Sequence, residues 1–184
     1  MKSKKTIIIC ALVTILILGG VISGVSLLFN HPLRIEKPTF IYIDRDDTAD
    51  SVYVKLQRDL NATHLTGFKM LARLKKYDQQ IHSGAYRFDA SINTLTLFRR
   101  LSSGHQTPVK VVIPSVRTLS RLARSLDRQL MPDSTEFARL VGDSAFCASL
   151  GFSLETMPAL FIPNTYEAYW NMDAEDFLQR MKKE

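Results

Sequence analysis

The sequence predicts an α+β protein, with an N-terminal transmembrane helix followed by a region in which strands and helices mix. Three observations lead to this class. Residues 6–29 contain no Asp, Glu, Lys or Arg. Two short runs of β-branched and aromatic residues, Thr39–Ile43 and Gly84–Phe88, enclose two stretches with helical periodicity. After them, apolar residues recur at helical spacing almost to the end of the chain.

The composition excludes several classes of protein. Of the 184 residues, 46% are hydrophobic and 23% are charged, which excludes a wholly disordered chain. The two cysteines, Cys10 and Cys147, cannot form a disulfide framework and have no metal-ligand spacing. The sequence has no phosphate-binding glycine loop and no metal-binding triad, so we expect neither a cofactor nor a metal.

The charge-free stretch 6–29 predicts an uncleaved membrane anchor. Its helix would rise roughly 36 Å, enough to cross a hydrocarbon core of about 30 Å. A cleaved signal peptide is the alternative, but its apolar region is usually only about 7 to 15 residues long. Lys2, Lys4 and Lys5 make the amino side the more basic one. We therefore expect a cytoplasmic tail over 1–5 and a single-pass protein of the bacterial inner membrane, with its main domain in the periplasm.

The region after the anchor begins with a linker and a strand–helix–helix–strand unit. Residues 30–38 contain two prolines and predict the linker. Strand Thr39–Ile43 follows, and Thr66 is the expected N-cap of the second helix. Strand Gly84–Phe88 closes the unit. The apolar face of the first helix is predicted to consist of Ala49, Val52, Leu56 and Leu60.

The second half of the chain predicts one more strand and several helices. A helix capped by Ser91 is expected to end at Gly104, which suits a left-handed C-cap. Val109–Ile113 predicts a strand that Pro114 ends. Further helices are expected to start at Thr118, Asp133, Asp143 and Asp173. No Gly or Pro terminates the last of them, which favours a truncated chain.

The segment Leu160–Trp170 is the most unusual part of the sequence, because it is non-periodic and crowded with aromatic residues. It holds the only Trp of the chain, Trp170, together with a Pro-Asn-Thr turn. Sugar faces stack on aromatic rings, and sugar hydroxyls need fixed amide and carboxylate partners. The segment therefore fits a saccharide subsite, and an irregular core loop is the alternative.

A basic stripe is predicted on the helix that begins at Thr118. Its members lie about one turn apart, opposite the leucines. They are Arg117, Arg121, Arg124 and Arg128. A solvated helix face is one interpretation, and contact with an anionic polymer or lipid head groups is the other. We expect no nucleic-acid partner for a domain outside the inner membrane.

Three passages, in order along the chain, carry a resemblance to a known family. Ser83–Phe88 resembles a segment written "aGtYrl", and Leu101–Leu119 resembles "L-x-x-G … v-t-I-P-E-G-x-T". Leu160–Glu167 is similar to an active-site stretch written "E-G-x-L-F-P-D-T-Y". The family is that of the membrane-anchored endolytic murein transglycosylases, called MltG or YceG-like. Together the three passages cover nearly the whole chain.

The resemblance implies a domain organisation and an activity. A LysM-like subdomain with its following helix would occupy 39–107, and the N-terminal part of a mixed α/β catalytic domain would occupy 108–184. Such enzymes cut the β-1,4 bond between N-acetylmuramic acid and N-acetylglucosamine in nascent glycan strands. The cut leaves 1,6-anhydro ends and limits strand elongation. The implied partners are peptidoglycan glycan strands, the inner membrane and a peptidoglycan synthase, and the truncated chain alone is expected to be inactive.

The resemblance also indicates where the catalytic carboxyl group should be. The family's glutamate lies five residues before the motif proline, and Pro158 occupies that position here. Ser115 stands where the family has another glutamate, and Glu155 and Glu167 are the nearby carboxylates that remain. We predict Glu167 as the acid/base, a role in which apolar surroundings help a carboxyl group to keep its proton. An acid from a following part of a longer protein is the open alternative.

The residues predicted to bind sugar surround Glu167. They are Asn164, Thr165, Tyr166, Tyr169 and Trp170. The alternative function is a non-catalytic, membrane-anchored protein that binds peptidoglycan or serves as a scaffold. Pro158 and Ser115 favour that alternative, because neither can replace a catalytic carboxylate.

Overall fold

The computed structural model has α+β architecture, in agreement with the predicted class. It divides the chain into two compact units. The first contains Met1–Thr39, Thr48–Ile81 and Phe88–Ser103, and the second contains Phe40–Asp47, His82–Arg87 and Gly104–Glu184. The residues that the structure describes are 12–20, 23–24, 26, 29–30, 32–33, 35–62, 65–89, 91–115 and 118–184.

Helices and short strands are mixed along the described residues. The helices are α1 (12–20), α2 (Ala49–Leu60), α3 (Thr66–Leu74), α4 (Thr94–Ser102), α5 (Leu119–Asp127), α6 (Ser134–Gly142), α7 (Ser144–Leu150) and α8 (Ala174–Met181). The strands are β1 (Pro32–Leu33), β2 (Thr39–Ile43), β3 (Gly84–Phe88), β4 (Ile92–Asn93), β5 (Val109–Ile113) and β6 (Asn164–Ala168). Short 3-10 turns occupy Tyr77–Gln79 and Met157–Leu160. The strands pair as β1–β4, β2–β3 and β5–β6.

The predicted transmembrane helix over 6–29 is wrong. Among the residues that the structure describes, no helix combines the length and the apolar character needed to cross a membrane. Within this stretch, residues 6–11, 21–22, 25 and 27–28 lie outside the described residues. The localisation that was expected from the anchor stays a prediction.

In the first unit, α2 confirms the helix that the apolar spacing predicts. A capping box starts it: the Ser51 N–H donates to Thr48 Oγ1 at 3.3 Å, and the Thr48 N–H donates to Ser51 Oγ at 2.9 Å. Its apolar residues Val52, Leu56 and Leu60 are buried. The cap fixes where the helix begins, and the buried residues fix which of its faces points inward.

An aromatic cluster forms the centre of the first unit. The ring of Phe68 on α3 meets Tyr53, Tyr77 and Phe98 edge-on, with centroid distances of 5.9, 6.0 and 5.6 Å. Edge-to-face contacts of this kind add to the stabilisation that burial provides. The cluster therefore joins α2, α3, α4 and the first 3-10 turn.

The third predicted helix begins later than expected. Ser91 is not its cap: the helix α4 starts at Thr94, and Asn93 Oδ1 accepts a hydrogen bond from the Thr96 N–H at 2.7 Å. Ile92 lies in β4 instead, opposite Leu33 of β1. Asn is a strong N-cap, and the pairing with β1 draws the preceding residues into a strand. Part of the predicted linker is therefore the strand β1.

The second unit contains an antiparallel ribbon that the sequence only half predicts. β5 lies where it was expected, and it pairs with β6, from Val109 opposite Ala168 to Ile113 opposite Asn164. An irregular core loop, the alternative given for Leu160–Trp170, is therefore wrong over β6. The alternation is hidden in the sequence because, of the inward positions of β6, only Ala168 at its C-terminal end is fully buried.

The core of the second unit packs helices against this ribbon. The rings of Phe137 on α6 and Phe177 on α8 meet edge-on at 5.9 Å. Cys147 of α7 is buried in the same core, as its apolar neighbours predict. Its thiol lies 3.4 Å from the Val141 carbonyl oxygen, and burial raises the pKa of that thiol.

Candidate functional site

The strand alternation of β5 and β6 presents a polar face on one side of the ribbon. Val109, Val111 and Ile113 of β5 are buried, and the residues between them are exposed. Lys110 lies directly opposite Glu167 on that exposed face. A cationic and an anionic side chain therefore face each other across neighbouring strands.

A large open cavity begins at this pair, and we call it the aromatic cleft. Its volume is about 950 Å³, within the range of known ligand sites. The residues that define it are Phe40, Tyr42, Arg87, Lys110, Glu167 and Trp170, joined by 127–130 at the end of α5. All of them belong to the second unit.

A row of rings lines the aromatic cleft. Phe40 and Tyr42 project from the same face of β2 and stack with centroids 5.9 Å apart and planes 19° apart. Trp170 follows with a centroid 5.1 Å from that of Tyr42, and the Arg87 guanidinium lies 6.0 Å from the Phe40 centroid. Partial burial raises the pKa of the Tyr42 hydroxyl. The row offers apolar faces of the kind on which a sugar ring stacks.

Trp170 is held in place through its backbone and its neighbour. Its carbonyl oxygen accepts a hydrogen bond from the Met131 N–H at 2.8 Å. The Asn171 side-chain amide donates to the Ser83 carbonyl oxygen at 2.9 Å. The Arg45 guanidinium forms an ion pair with Asp173, which caps α8. These contacts fix the segment after β6, so the indole stays at the wall of the cleft.

Gln129 connects the end of α5 to the ribbon. Its amide oxygen accepts from the Val112 N–H at 2.8 Å, and its amide nitrogen donates to the Val112 carbonyl oxygen at 3.0 Å. The same nitrogen donates to the Ser125 carbonyl oxygen at 2.9 Å. This arrangement holds Asp127 and Arg128 at the cleft, where they add one charge of each sign.

A second, smaller cavity of the same unit lies at the other end of the ribbon, and we call it the proline pocket. Its volume is about 220 Å³. It is lined by Pro114, Ser115, Thr118, Leu119, Leu122, Pro158, Phe161 and Pro163. None of these described residues is acidic. Ser115 and Pro158, the positions at which the family resemblance places glutamates, therefore meet in a pocket that has no carboxylate.

The structure separates the predicted site residues. Glu167 and Trp170 both line the aromatic cleft. Asn164 is exposed, and its Oδ1 accepts from the Thr165 N–H at 2.8 Å. Tyr166 turns inward against the core of the second unit, and its hydroxyl donates to the Ile162 carbonyl oxygen at 3.0 Å.

The remaining predicted residues stay at the surface. Thr165 lies on the outer face of β6, opposite Val112, and Tyr169 is exposed just after the strand. Glu155 is exposed and lines neither cavity described above. Glu167 is itself exposed, so the apolar enclosure expected around the acid is missing from its side chain.

The arginines of the predicted basic stripe lie in different surroundings. Arg121 and Arg124 are exposed on α5, as a solvated helix face requires, and Arg128 lines the aromatic cleft. Arg117 lies outside the described residues.

Within the part of the chain that the structure describes, no three His, Cys, Asp or Glu side chains lie close enough together to hold a metal ion.

The cleft contains residues that sequence reasoning missed. Phe40 and Tyr42 come from β2, about 125 residues before Glu167, and Arg87 comes from β3. A signal for the first two was present, because Phe and Tyr alternate with Ile41 and Ile43 and must therefore share one face of the strand. Nothing in the sequence indicates that this face meets Trp170.

The sequence model of the YceG-like family matches residues 41–184. Among solved structures, the chain is similar to a YceG-like protein of Listeria monocytogenes, with 18% sequence identity and a TM-score of 0.40. The match covers 80% of this chain and 54% of that one, so this chain spans about half the length of the solved protein. No curated protein matches the chain.

Proposed function

Because the chain belongs to the YceG-like family, we propose that its protein is an endolytic lytic transglycosylase of peptidoglycan. The substrate would be a nascent glycan strand, cut at the β-1,4 bond between N-acetylmuramic acid and N-acetylglucosamine. The observation that supports a saccharide substrate is the aromatic cleft, where three rings in a row lie beside a glutamate and an amide. Known saccharide sites need this combination of flat apolar faces and fixed polar groups.

In the proposed reaction Glu167 acts first as an acid and then as a base. Its carboxyl group gives a proton to the leaving glycosidic oxygen as the bond to the muramic acid C1 breaks. The carboxylate then takes the proton of the sugar's own 6-hydroxyl as that oxygen bonds to C1. The product is a 1,6-anhydro end, and no water is consumed. A sugar bound over Trp170 would exclude water from Glu167, which supports proton transfer at an otherwise exposed side chain.

A second candidate function is glycan binding without cleavage. The proline pocket favours it, because the positions at which the family resemblance places glutamates carry Ser115 and Pro158. In this case Glu167 would accept hydrogen bonds from sugar hydroxyls, and the rings would supply most of the affinity. The protein would then act as a peptidoglycan-binding or scaffold protein.

The deciding experiment compares variants of the full-length protein in a digest of purified sacculi. Glu167→Gln keeps the shape of the side chain and removes proton transfer, which typically contributes about 10²- to 10⁴-fold in rate. Asp127→Asn is the matched control, because it changes the other carboxylate of the cleft. We expect 1,6-anhydro ends from the wild type and from Asp127→Asn, and few from Glu167→Gln.

Three outcomes would replace this assignment. Undiminished anhydro products from Glu167→Gln would show that the acid lies elsewhere. Recovery of cleavage in Glu167→Gln when Pro158→Glu is added would show that the proline pocket is the catalytic position. Retention of glycan by every variant without any product would favour the binding protein.

A further inference from the structure

The free edge of β5 faces away from β6. Both the N–H and the C=O of Val112 are bonded to the Gln129 side chain, at 2.8 and 3.0 Å. In an antiparallel pair, a residue points both backbone groups either toward its partner strand or away from it. Val112 therefore points them away from β6, and the amide of Gln129 occupies the place where a neighbouring strand would lie.

Lys110 presents the same kind of edge, and among the described residues no side chain caps it. It lies two residues from Val112 in a regular register, so its N–H and C=O also point away from β6. Within the described residues this sheet contains only β5 and β6, so no strand covers that edge. Lys110 and Gln129 both line the aromatic cleft, and the uncovered backbone groups therefore open into the cleft.

The charges of the cleft favour a ligand with carboxylates. Arg87, Lys110 and Arg128 supply three positive charges, and Asp127 and Glu167 supply two negative ones. The cations come from three separate elements: β3, β5 and the end of α5. An anionic chain lying along β5 would therefore meet a positive charge on more than one side.

Edge protection is the simpler explanation of these residues, since Lys and Pro on an edge strand discourage pairing with other chains. Pro108 precedes β5 and has no N–H, and Lys110 is charged. Protection does not, however, require a cavity. Here the edge opens into a cleft of about 950 Å³ that has rings on its far side, whereas a protected edge normally faces open solvent.

We propose that an extended peptide with free carboxylates pairs with the backbone of Lys110 in the aromatic cleft. The peptide would be a substituent of the glycan, so this inference rests on the proposed function. One peptide residue would donate its N–H to the Lys110 C=O and accept from the Lys110 N–H, as Gln129 does at Val112. This is strand addition, in which the backbone supplies affinity and the side-chain charges supply specificity.

The test uses the single tryptophan of the chain. Trp170 lies in the wall of the cleft, so its fluorescence reports occupation of that site. The probe is a sugar-free peptide of about five residues with two free carboxylates. A scan methylates each peptide amide nitrogen in turn, which removes one N–H and leaves every charge in place. A version with amidated carboxylates tests the charges separately.

Strand addition predicts a distinctive result in this scan. Only the residue that faces Lys110 donates to the edge, so one methylated amide should weaken binding about tenfold while its two neighbours have little effect. Lys110→Ala keeps the backbone groups and should weaken the acidic peptide about threefold, but not the amidated one. Lys183→Ala, an exposed lysine on the tail after α8, is the matched control and should change nothing.

The outcomes distinguish the inference from the proposed function. Equal binding by every methylated peptide, or no change in Trp170 fluorescence with the acidic peptide, would overturn the inference. If peptide-free glycan is cleaved as fast as peptide-bearing glycan, the proposed function stands and the inference fails. If the peptide binds with the predicted pattern but no glycan is cleaved, the inference stands and the enzyme assignment fails.

Discussion

The aromatic cleft and the proline pocket lie at opposite ends of the same two-stranded ribbon. The cleft adjoins Lys110 near the start of β5 and Glu167 near the end of β6. The pocket adjoins Pro114, just after β5, and Pro163, just before β6. One cavity is wide, lined by three aromatic rings and charged, and the other is small, uncharged and lined by prolines, leucines, one phenylalanine and two hydroxyl residues. A single ribbon therefore supports two environments of different chemistry.

This difference bears directly on catalysis. Asn164 to Glu167 spans about 10 Å of strand, so Glu167 cannot reach the position that the family resemblance gives to its glutamate. Any proton transfer by Glu167 would take place at the other end of the ribbon. Cleavage that depends on Glu167 would therefore mean that the glycan lies across the aromatic cleft.

The largest effect is expected from a substitution in the core that supports both ends of the β5–β6 ribbon. Phe177 of α8 is fully buried and meets Phe137 edge-on, so Phe177→Ala should lower the free energy of unfolding by about 3 to 5 kcal/mol. Urea denaturation followed by circular dichroism measures the change. Leu154→Ala is the control, because that side chain is 47% exposed and its loss should cost less than about 0.5 kcal/mol. A loss below about 1 kcal/mol in Phe177→Ala would contradict the packing described for this core.

The sequence predicts the helices of this core better than it predicts the site, and the reason is physical. Helical periodicity is local, so the spacing of Leu122 and Leu126 on α5 is enough to identify a buried face. The cleft instead depends on contacts such as that of Tyr42 with Trp170, which no local pattern records. The capping of α4 was misplaced for a related reason, since pairing with β1 decides where that helix begins.

A smaller effect is expected at the start of β3, beside the aromatic cleft. Gly84 opens β3, the strand that carries Arg87, and has φ of +150°. An added Cβ would lie 2.6 Å from Gln106 Oε1 and 3.1 Å from Gln106 Cβ. Gly84→Ala should therefore destabilise the protein by about 1 to 3 kcal/mol. Gly142→Ala is the matched control, because an added Cβ there would meet nothing within 4 Å beyond the local backbone of its own helix.

Ligand binding in the aromatic cleft sharpens this prediction. In Gly84→Ala, quenching of Trp170 by peptide or glycan should weaken, because β3 must shift. Equal stability of Gly84→Ala and Gly142→Ala would contradict the close approach of Gln106 to β3.

The stability of the protein is expected to depend on pH through Tyr86, which lies in β3. Burial raises the pKa of its hydroxyl to about 12, above the value near 10 of an unfolded chain. A raised pKa means that the stabilisation is complete below about pH 10 and is lost as the pH rises from about 10 through 12. Tyr86→Phe removes this dependence.

Unfolding curves at pH 8, 10 and 11 measure the Tyr86 effect. At pH 8 the variant should be less stable by about 1 kcal/mol, because Tyr86 donates a hydrogen bond to the His82 carbonyl oxygen at 2.9 Å. At pH 11 the difference in free energy of unfolding between the variant and the wild type should become smaller or change sign. A gap that stays constant across this range would mean that the Tyr86 hydroxyl ionises equally easily in the folded and unfolded chains.

The smallest effect is expected from substitutions of Gln129, which links the end of α5 to the ribbon. Gln129→Ala removes both bonds to Val112 and should cost about 1 kcal/mol, while Gln129→Glu keeps an acceptor for the Val112 N–H and should cost less. Gln179→Ala on α8 loses only a bond to Glu175 four residues away, worth a few tenths of a kcal/mol, and is the control.

Gln129→Ala also uncovers a second pair of backbone groups on β5, those of Val112. If the edge binds peptides, a peptide two residues longer should gain affinity in Gln129→Ala alone, and the aromatic cleft would then extend toward the proline pocket.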